Sequence, residues 1–168
     1  MTAERNSGVA QLFFIKINVA VDGGGQARLS GFGLLSFFWD SYDPSGFPST
    51  FAHDWRWLSP ELIHQVRSNF KRSRPTKESD LYALGMVIFE VLSGEGPFLG
   101  EEYAGLWKGD HSALCTSIIR GVCPKIPTAG ARFPDALWRI AEQCWSHNPK
   151  DRPTPRAVIR SLEKASKL

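Results

Sequence analysis

The stretch Ser79–Phe98, reading SDLYALGMVIFEVLSGEGPF, constrains the fold of this chain more than any other. Between Leu81 and Leu92 the one charged residue is Glu90, and apolar residues fall on every side of a helical wheel. A helix that is apolar all round is buried all round, so the other helices are expected to pack around this one. It is too short to span a bilayer, which takes ~20 apolar residues. Thr76 is placed to cap its start, Glu78 and Asp80 suit the positive end of its dipole, and Gly94 stops it.

The remaining totals place this helix in an ordinary setting. With 168 residues, 42% apolar and 22% charged, the chain reads as one soluble globular domain. A net charge of +3 is too small to point to nucleic acid. Cys115, Cys123 and Cys144 make no CxxC pair, and no histidine sits beside them at zinc-ligand spacing, so they read as reduced packing residues. The first residues carry no basic-then-apolar leader. The expected location is intracellular, in the cytoplasm, with no membrane contact.

Taken in order, Met1–Gln11 shows no periodicity, Leu12–Ile17 is apolar apart from Lys16 and runs into Asn18–Val21, and the 1–17 segment is expected to be poorly ordered. The runs ending at Val21 and starting at Gln26, joined by Asp22-Gly23-Gly24-Gly25, predict a hairpin; no helix follows the glycines to cradle a phosphate. Leu34–Pro60 carries Gly, Pro, Ser and Asp without a helical period and reads as a long functional or disordered loop. His64–Lys77 holds five cations and no acid. It reads as a solvated linker, with an acidic partner or nucleic acid ranked below that. Helices are expected over Ser112–Arg120, from Pro134 burying Leu137, Ile140, Ala141 and Trp145, and after Thr154-Pro155 with Val158, Ile159 and Leu162 inward. Trp138 and Trp145 sit at core spacing and read as packing.

Several of these stretches resemble one family in the right order. SDLYALGMVIFEVLSGEGPF is similar to the central helix of the C-terminal lobe of protein kinases, in the tyrosine-kinase-like style. LWRIAEQCWSHNPKDRPTPRAVIRSLE resembles that lobe's last two helices, and RWLSPEL resembles its Ala-Pro-Glu motif, with Ser59 in place of Ala. KRSRPTKESDLYALG looks like the same junction in kinase-like proteins of fungi. The resemblance runs from about residue 18 to 165. It implies a mainly α fold with a small β hairpin: a protein-kinase-like C-terminal lobe lacking the N-terminal lobe. Residues 18–168 would form this partial kinase domain, after the 1–17 segment.

The resemblance also implies roles at single positions. Phosphoryl transfer asks the protein mainly for positioning and charge neutralisation, through an ATP-covering loop, a lysine, a catalytic aspartate and Mg²⁺ ligands. Asn18 matches the metal-binding asparagine, although a turn or strand-edge role serves it equally well. Five places earlier, Phe13 stands at the catalytic aspartate position, and Ile15 at the lysine position. Gln11 and Leu12 occupy the histidine and arginine places. Ser30-Gly31-Phe32-Gly33 resembles Asp-Phe-Gly with Gly31 at the metal-binding aspartate position, so no catalytic residue is intact. Leu34–Pro60 would be the activation segment, with Ser41, Tyr42, Ser45, Ser49 and Thr50 as its hydroxyls. Glu61 and Arg152 match a structural ion pair, and Asp80 matches an aspartate that accepts backbone N–H bonds from the catalytic loop.

The implied function is a truncated kinase-like domain, catalytically inactive, that acts as a binding surface if at all. ATP and Mg²⁺ belong to it by family resemblance, and neither is expected to bind this chain alone. A protein partner or a second copy would cover the lobe's upper face, lined by Leu12, Phe13, Phe14, Ile15, Phe32, Leu34 and Leu35. The alternative is the C-terminal part of an active ATP-dependent Ser/Thr or Tyr kinase whose N-lobe is missing from this chain. A nucleic-acid binder ranks below both.

Overall fold

The computed structural model describes residues 19–29, 55–69, 75–99, 103, 110–126 and 134–167. These form β1 (Val19–Val21), β2 (Ala27–Leu29), a 3-10 turn at Trp55–Trp57, α1 (Pro60–Asn69) and α2 (Lys77–Ser93). Then come α3 (His111–Ile119), α4 (Asp135–Cys144), a second 3-10 turn at Pro149–Asp151, and α5 (Pro155–Ala165). The described chain is mainly helical with one small antiparallel sheet.

The stretch that dominates the sequence becomes α2. Thr76 Oγ1 accepts the Ser79 N–H at 3.1 Å while Ser79 Oγ accepts the Thr76 N–H at 2.8 Å, a reciprocal cap worth about 0.5–2 kcal/mol. At the other end Gly94 turns left-handed (φ 75) and donates its N–H to Glu90 O at 2.9 Å. The all-round apolar pattern has a plain cause, because α2 serves two cores. One side, Tyr82, Ala83, Met86 and Phe89, joins Trp55 and Trp57, Leu62, Ile63 and Val66 of α1, and Leu114 and Ile118 of α3. The other side, Leu81 with Leu84 and Ile88, packs on Ile140 and Cys144 of α4 and Val158 of α5. Val91, at 76% exposed, is the exception. Gly85 lets α4 come close: a Cβ there would sit 3.0 Å from both Ala141 O and Cys144 Cβ. Trp138 and Trp145 pack edge-on at 5.3 Å, and Phe89 sits 6.4 Å from Trp145.

In the hairpin, Val19 faces Leu29 and Val21 faces Ala27. Asp22 organises the turn by accepting the N–H groups of Gln26 at 2.9 Å and Gly24 at 3.0 Å and Arg28 Nε at 2.8 Å. These bonds, the Gln26 one first, hold its carboxyl below the usual range.

Three expectations change. The basic stretch His64–Lys77 is not all linker, because α1 continues to Asn69. Leu62, Ile63 and Val66 bury one face of that helix, and the surrounding polar residues hide the pattern. Arg67 is engaged across the α1–α3 contact, with Nη1 donating to Thr116 Oγ1 at 3.2 Å and Nη2 to Ser112 Oγ at 3.5 Å. Second, the end of the long 34–60 segment is core: Trp55, Trp57, Leu58 and Ser59 are all buried. A three-residue 3-10 turn is too short to show a period. Third, Ile159 is 55% exposed, and the inward face of α5 is Val158, Leu162 and Ala165. Among the described residues, no helix is long and apolar enough to cross a membrane. The 1–17 segment and the hydroxyls of residues 41–50 lie outside the described residues.

Candidate functional site

Arg152 is the best-defined polar centre of the described structure. Its place is set by the chain on both sides. Before it, Asn148 caps the 3-10 turn by accepting the Lys150 N–H at 3.2 Å, and its Nδ2 donates to Asp151 Oδ2 at 3.1 Å. After it, Thr154 accepts the Ala157 N–H at 3.3 Å and Pro155 opens α5. Arg152 is therefore an extended residue (φ −72, ψ 143) held between two capped helical ends.

All five N–H donors of its guanidinium find acceptors. Nη1 donates to Glu61 Oε1 at 2.7 Å and Nη2 to Glu61 Oε2 at 2.9 Å, a two-pronged pair. Nη1 also reaches Glu78 O at 2.8 Å, Nε reaches Ser146 O at 2.9 Å, and Nη2 reaches His147 O at 3.4 Å. Tyr82 lies beneath the cation, with Cζ 5.1 Å from the ring centroid. The Arg152 side chain is 0% exposed and that of Glu61 is 24% exposed. Burial pushes the Tyr82 phenol well above its ordinary range, so the ring stays neutral under the cation. One side chain thus ties α1, the first turn of α2 and the loop after α4 together. With no donor left over, this guanidinium is a clamp and cannot also grip a phosphate.

The structure brings Glu61 and Arg152 together. Asp80 is half-buried in the first turn of α2, with its N–H donated to Thr76 O at 3.1 Å. Phe13, Asn18 and Gly31 lie outside the described residues, as do Gln11, Leu12, Ile15 and the Ser30–Gly33 motif. Sequence reasoning did not find Tyr82 or the carbonyls of Glu78, Ser146 and His147. Backbone acceptors leave no residue-type signal, and Tyr82 reads as one more apolar position of a buried helix. It also did not find Tyr103, whose hydroxyl donates to Cys123 O at 3.2 Å and accepts the Lys125 N–H at 2.6 Å.

No other chemistry stands out in the described part. No group of three or more His, Cys, Asp or Glu there could hold a metal ion. Burial pushes the Cys115 and Cys144 thiols up to about 11, so neither offers a thiolate near neutral pH. Trp57 Nε1 and Ser59 Oγ are buried without a hydrogen-bond partner among the described residues.

Comparison with known proteins gives one consistent answer. The protein kinase domain family matches residues 16–162. The probable serine/threonine-protein kinase roco7 of Dictyostelium discoideum is 29% identical over 114 residues, 68% of this chain and 4% of that protein. The LRR receptor-like serine/threonine-protein kinase FEI 2 of Arabidopsis thaliana is 28% identical over 156 residues, 87% of this chain and 24% of that protein. Mitogen-activated protein kinase kinase kinase 12 of Rattus norvegicus is 26% identical over 140 residues, 83% of this chain and 13% of that protein. The chain spans less than a quarter of the length of each of these relatives.

Proposed function

The chain belongs to the protein kinase domain family, and from that premise we propose that it does not transfer phosphate by itself and works through its surface. The observation that carries this reading is Gly31 in Ser30-Gly31-Phe32-Gly33. By family resemblance a carboxylate at that position holds Mg²⁺ on the nucleotide. Glycine has no side-chain oxygen, and Mg²⁺ takes oxygen ligands in near-octahedral geometry. The donor set therefore does not fit the metal, since the amide of Asn18 alone makes a poor site. Phe13 supports the same reading, because a phenyl ring accepts no proton from a substrate hydroxyl.

The clamp around Arg152 belongs with this picture. The residues that hold the helices together are retained while those that carry charge to a nucleotide are replaced. Such a domain keeps a shaped surface, and we place the binding face on the apolar run Leu12–Ile15 with Phe32, Leu34 and Leu35. The occupant is a protein partner or a second copy. Light scattering over a concentration series reads the second-copy form as a rise in mass, reduced in the Phe13→Ser, Phe14→Ser double variant. A monomer at every concentration removes the second copy.

The competing reading is a piece of a working ATP-dependent kinase, favoured by the kinase names of the relatives and by the intact clamp. Calorimetric titration with Mg·ATP separates the two. The expected result is no Mg²⁺-dependent binding in the micromolar range and no phosphate incorporated into a generic acceptor. A micromolar dissociation constant that disappears with a chelator overturns the proposal.

A further inference from the structure

The outer surface of α5 carries a feature that the kinase reading does not use. Arg156, Arg160, Lys164 and Lys167 are all exposed. Arg156, Arg160 and Lys164 lie within α5, where 3.6 residues per turn puts them in an arc of about 80° on one side, stepped by about 6 Å for each four residues; Lys167 follows just past the helix end. The inward face is Val158, Leu162 and Ala165, so packing against α2 and α4 holds Arg156, Arg160 and Lys164 outward and in line. No carboxylate among the described residues forms an ion pair with any of the four. Glu163 lies near the line and leaves the three helical cations with an excess of two positive charges, to which Lys167 adds at the end. Ile159, 55% exposed, stands beside it.

We propose that this stripe is a docking surface for an extended acidic peptide segment of a partner protein, with carboxylates or phosphates on alternate residues. The reason is register. An extended strand places alternate side chains on one face about 6.6–6.8 Å apart, close to the 6 Å step of Arg156, Arg160 and Lys164, so three pairs form without bending either partner. The two other polyanion classes fit less well. A bilayer surface calls for a buried apolar face as well as cations, and Ile159 is the one large apolar side chain exposed on this helix. Single-stranded nucleic acid calls for aromatic stacking platforms, and the outward face of α5 has no aromatic residue. The surface is independent of whether the chain transfers phosphate, so it stands or falls separately from the reading above.

The test uses the full chain and fluorescence anisotropy with a labelled ten-residue peptide of alternating Glu and Ser, at low and physiological salt. The expected result is saturable binding that weakens with salt, and at least about tenfold weaker binding by the Arg160→Glu, Lys164→Glu double variant. The Arg120→Glu, Lys125→Glu pair, which changes net charge equally at two other exposed sites, keeps nearly full affinity. Circular dichroism shows both variants folded, as expected for exposed positions. A peptide with the same five Glu in one block binds more weakly, because half of its carboxylates face away. Equal loss in the two charge-reversal pairs, no binding at low salt, or tighter binding to phosphatidylserine vesicles or an oligothymidylate each overturns the proposal.

Discussion

Replacing Arg152 by alanine tests the clamp most directly. The change removes five hydrogen bonds and the cation over Tyr82 in one step. It leaves Glu61 with a carboxylate facing an interior, and the carbonyls of Glu78, Ser146 and His147 without the donor they had. Removing one side of a buried ion pair costs about 3–5 kcal/mol. Two effects adjust that figure in opposite directions. Glu61 is 24% exposed and regains some water, which lowers the cost. Orphaned buried carbonyls add about 1–3 kcal/mol each where water does not reach them. The expected loss is therefore about 4 kcal/mol, or a fall in Tm of roughly 8–16 °C for a chain of this size. Arg156→Ala, an exposed arginine four residues later, changes stability by less than about 0.5 kcal/mol. Arg152→Lys does not rescue the clamp, because one ammonium cannot reach acceptors spread around a planar fork; at least about half of the loss remains. Urea unfolding of the three variants reads the comparison, with an unchanged slope required for each. If the Arg152→Ala midpoint moves no further than the Arg156→Ala midpoint, the clamp contributes nothing and the reasoning fails.

Two other outcomes follow from the packing. Gly85→Ala destabilises by about 1–3 kcal/mol, because its Cβ meets backbone oxygen and a buried thiol carbon, whereas Gly23→Ala, with nothing within 4 Å, is neutral in urea unfolding. Stability also falls as pH rises from about 9 to about 11: unfolded thiols ionise near 9.0 while folded Cys115 and Cys144 hold their protons to about 11. In a Cys144→Ala chain that fall is shallower, and an identical pH dependence would show that the thiol is not held neutral by burial.

Residue pattern alone told much about α2. Its caps at Thr76 and Gly94 and its apolar surround are local properties, legible wherever hydrogen-bonding side chains and helical period sit next to each other in sequence. The hairpin was legible for the same reason, through Asp22 and the glycines after it. The α1 helix was not, because its buried face is three residues set among His64, Gln65 and Arg67. Ile159 misled for a related reason. A helix five residues from its cap presents two adjacent apolar positions, and the pattern does not say which one the neighbouring helix covers.

For the site, residue identity and family resemblance pointed to Glu61 and Arg152, ninety-one positions apart, which the structure joins. Tertiary structure alone decided what surrounds the pair. The face of Tyr82 and the carbonyls of Glu78, Ser146 and His147 converge on one guanidinium only when α2 and the loop after α4 are packed together. Carbonyls belong to every residue, so no sequence distinguishes the three that matter. The cations of α5 divide in the same way. Their spacing is written in the chain, but only the burial of Val158 and Leu162 turns them outward into one line.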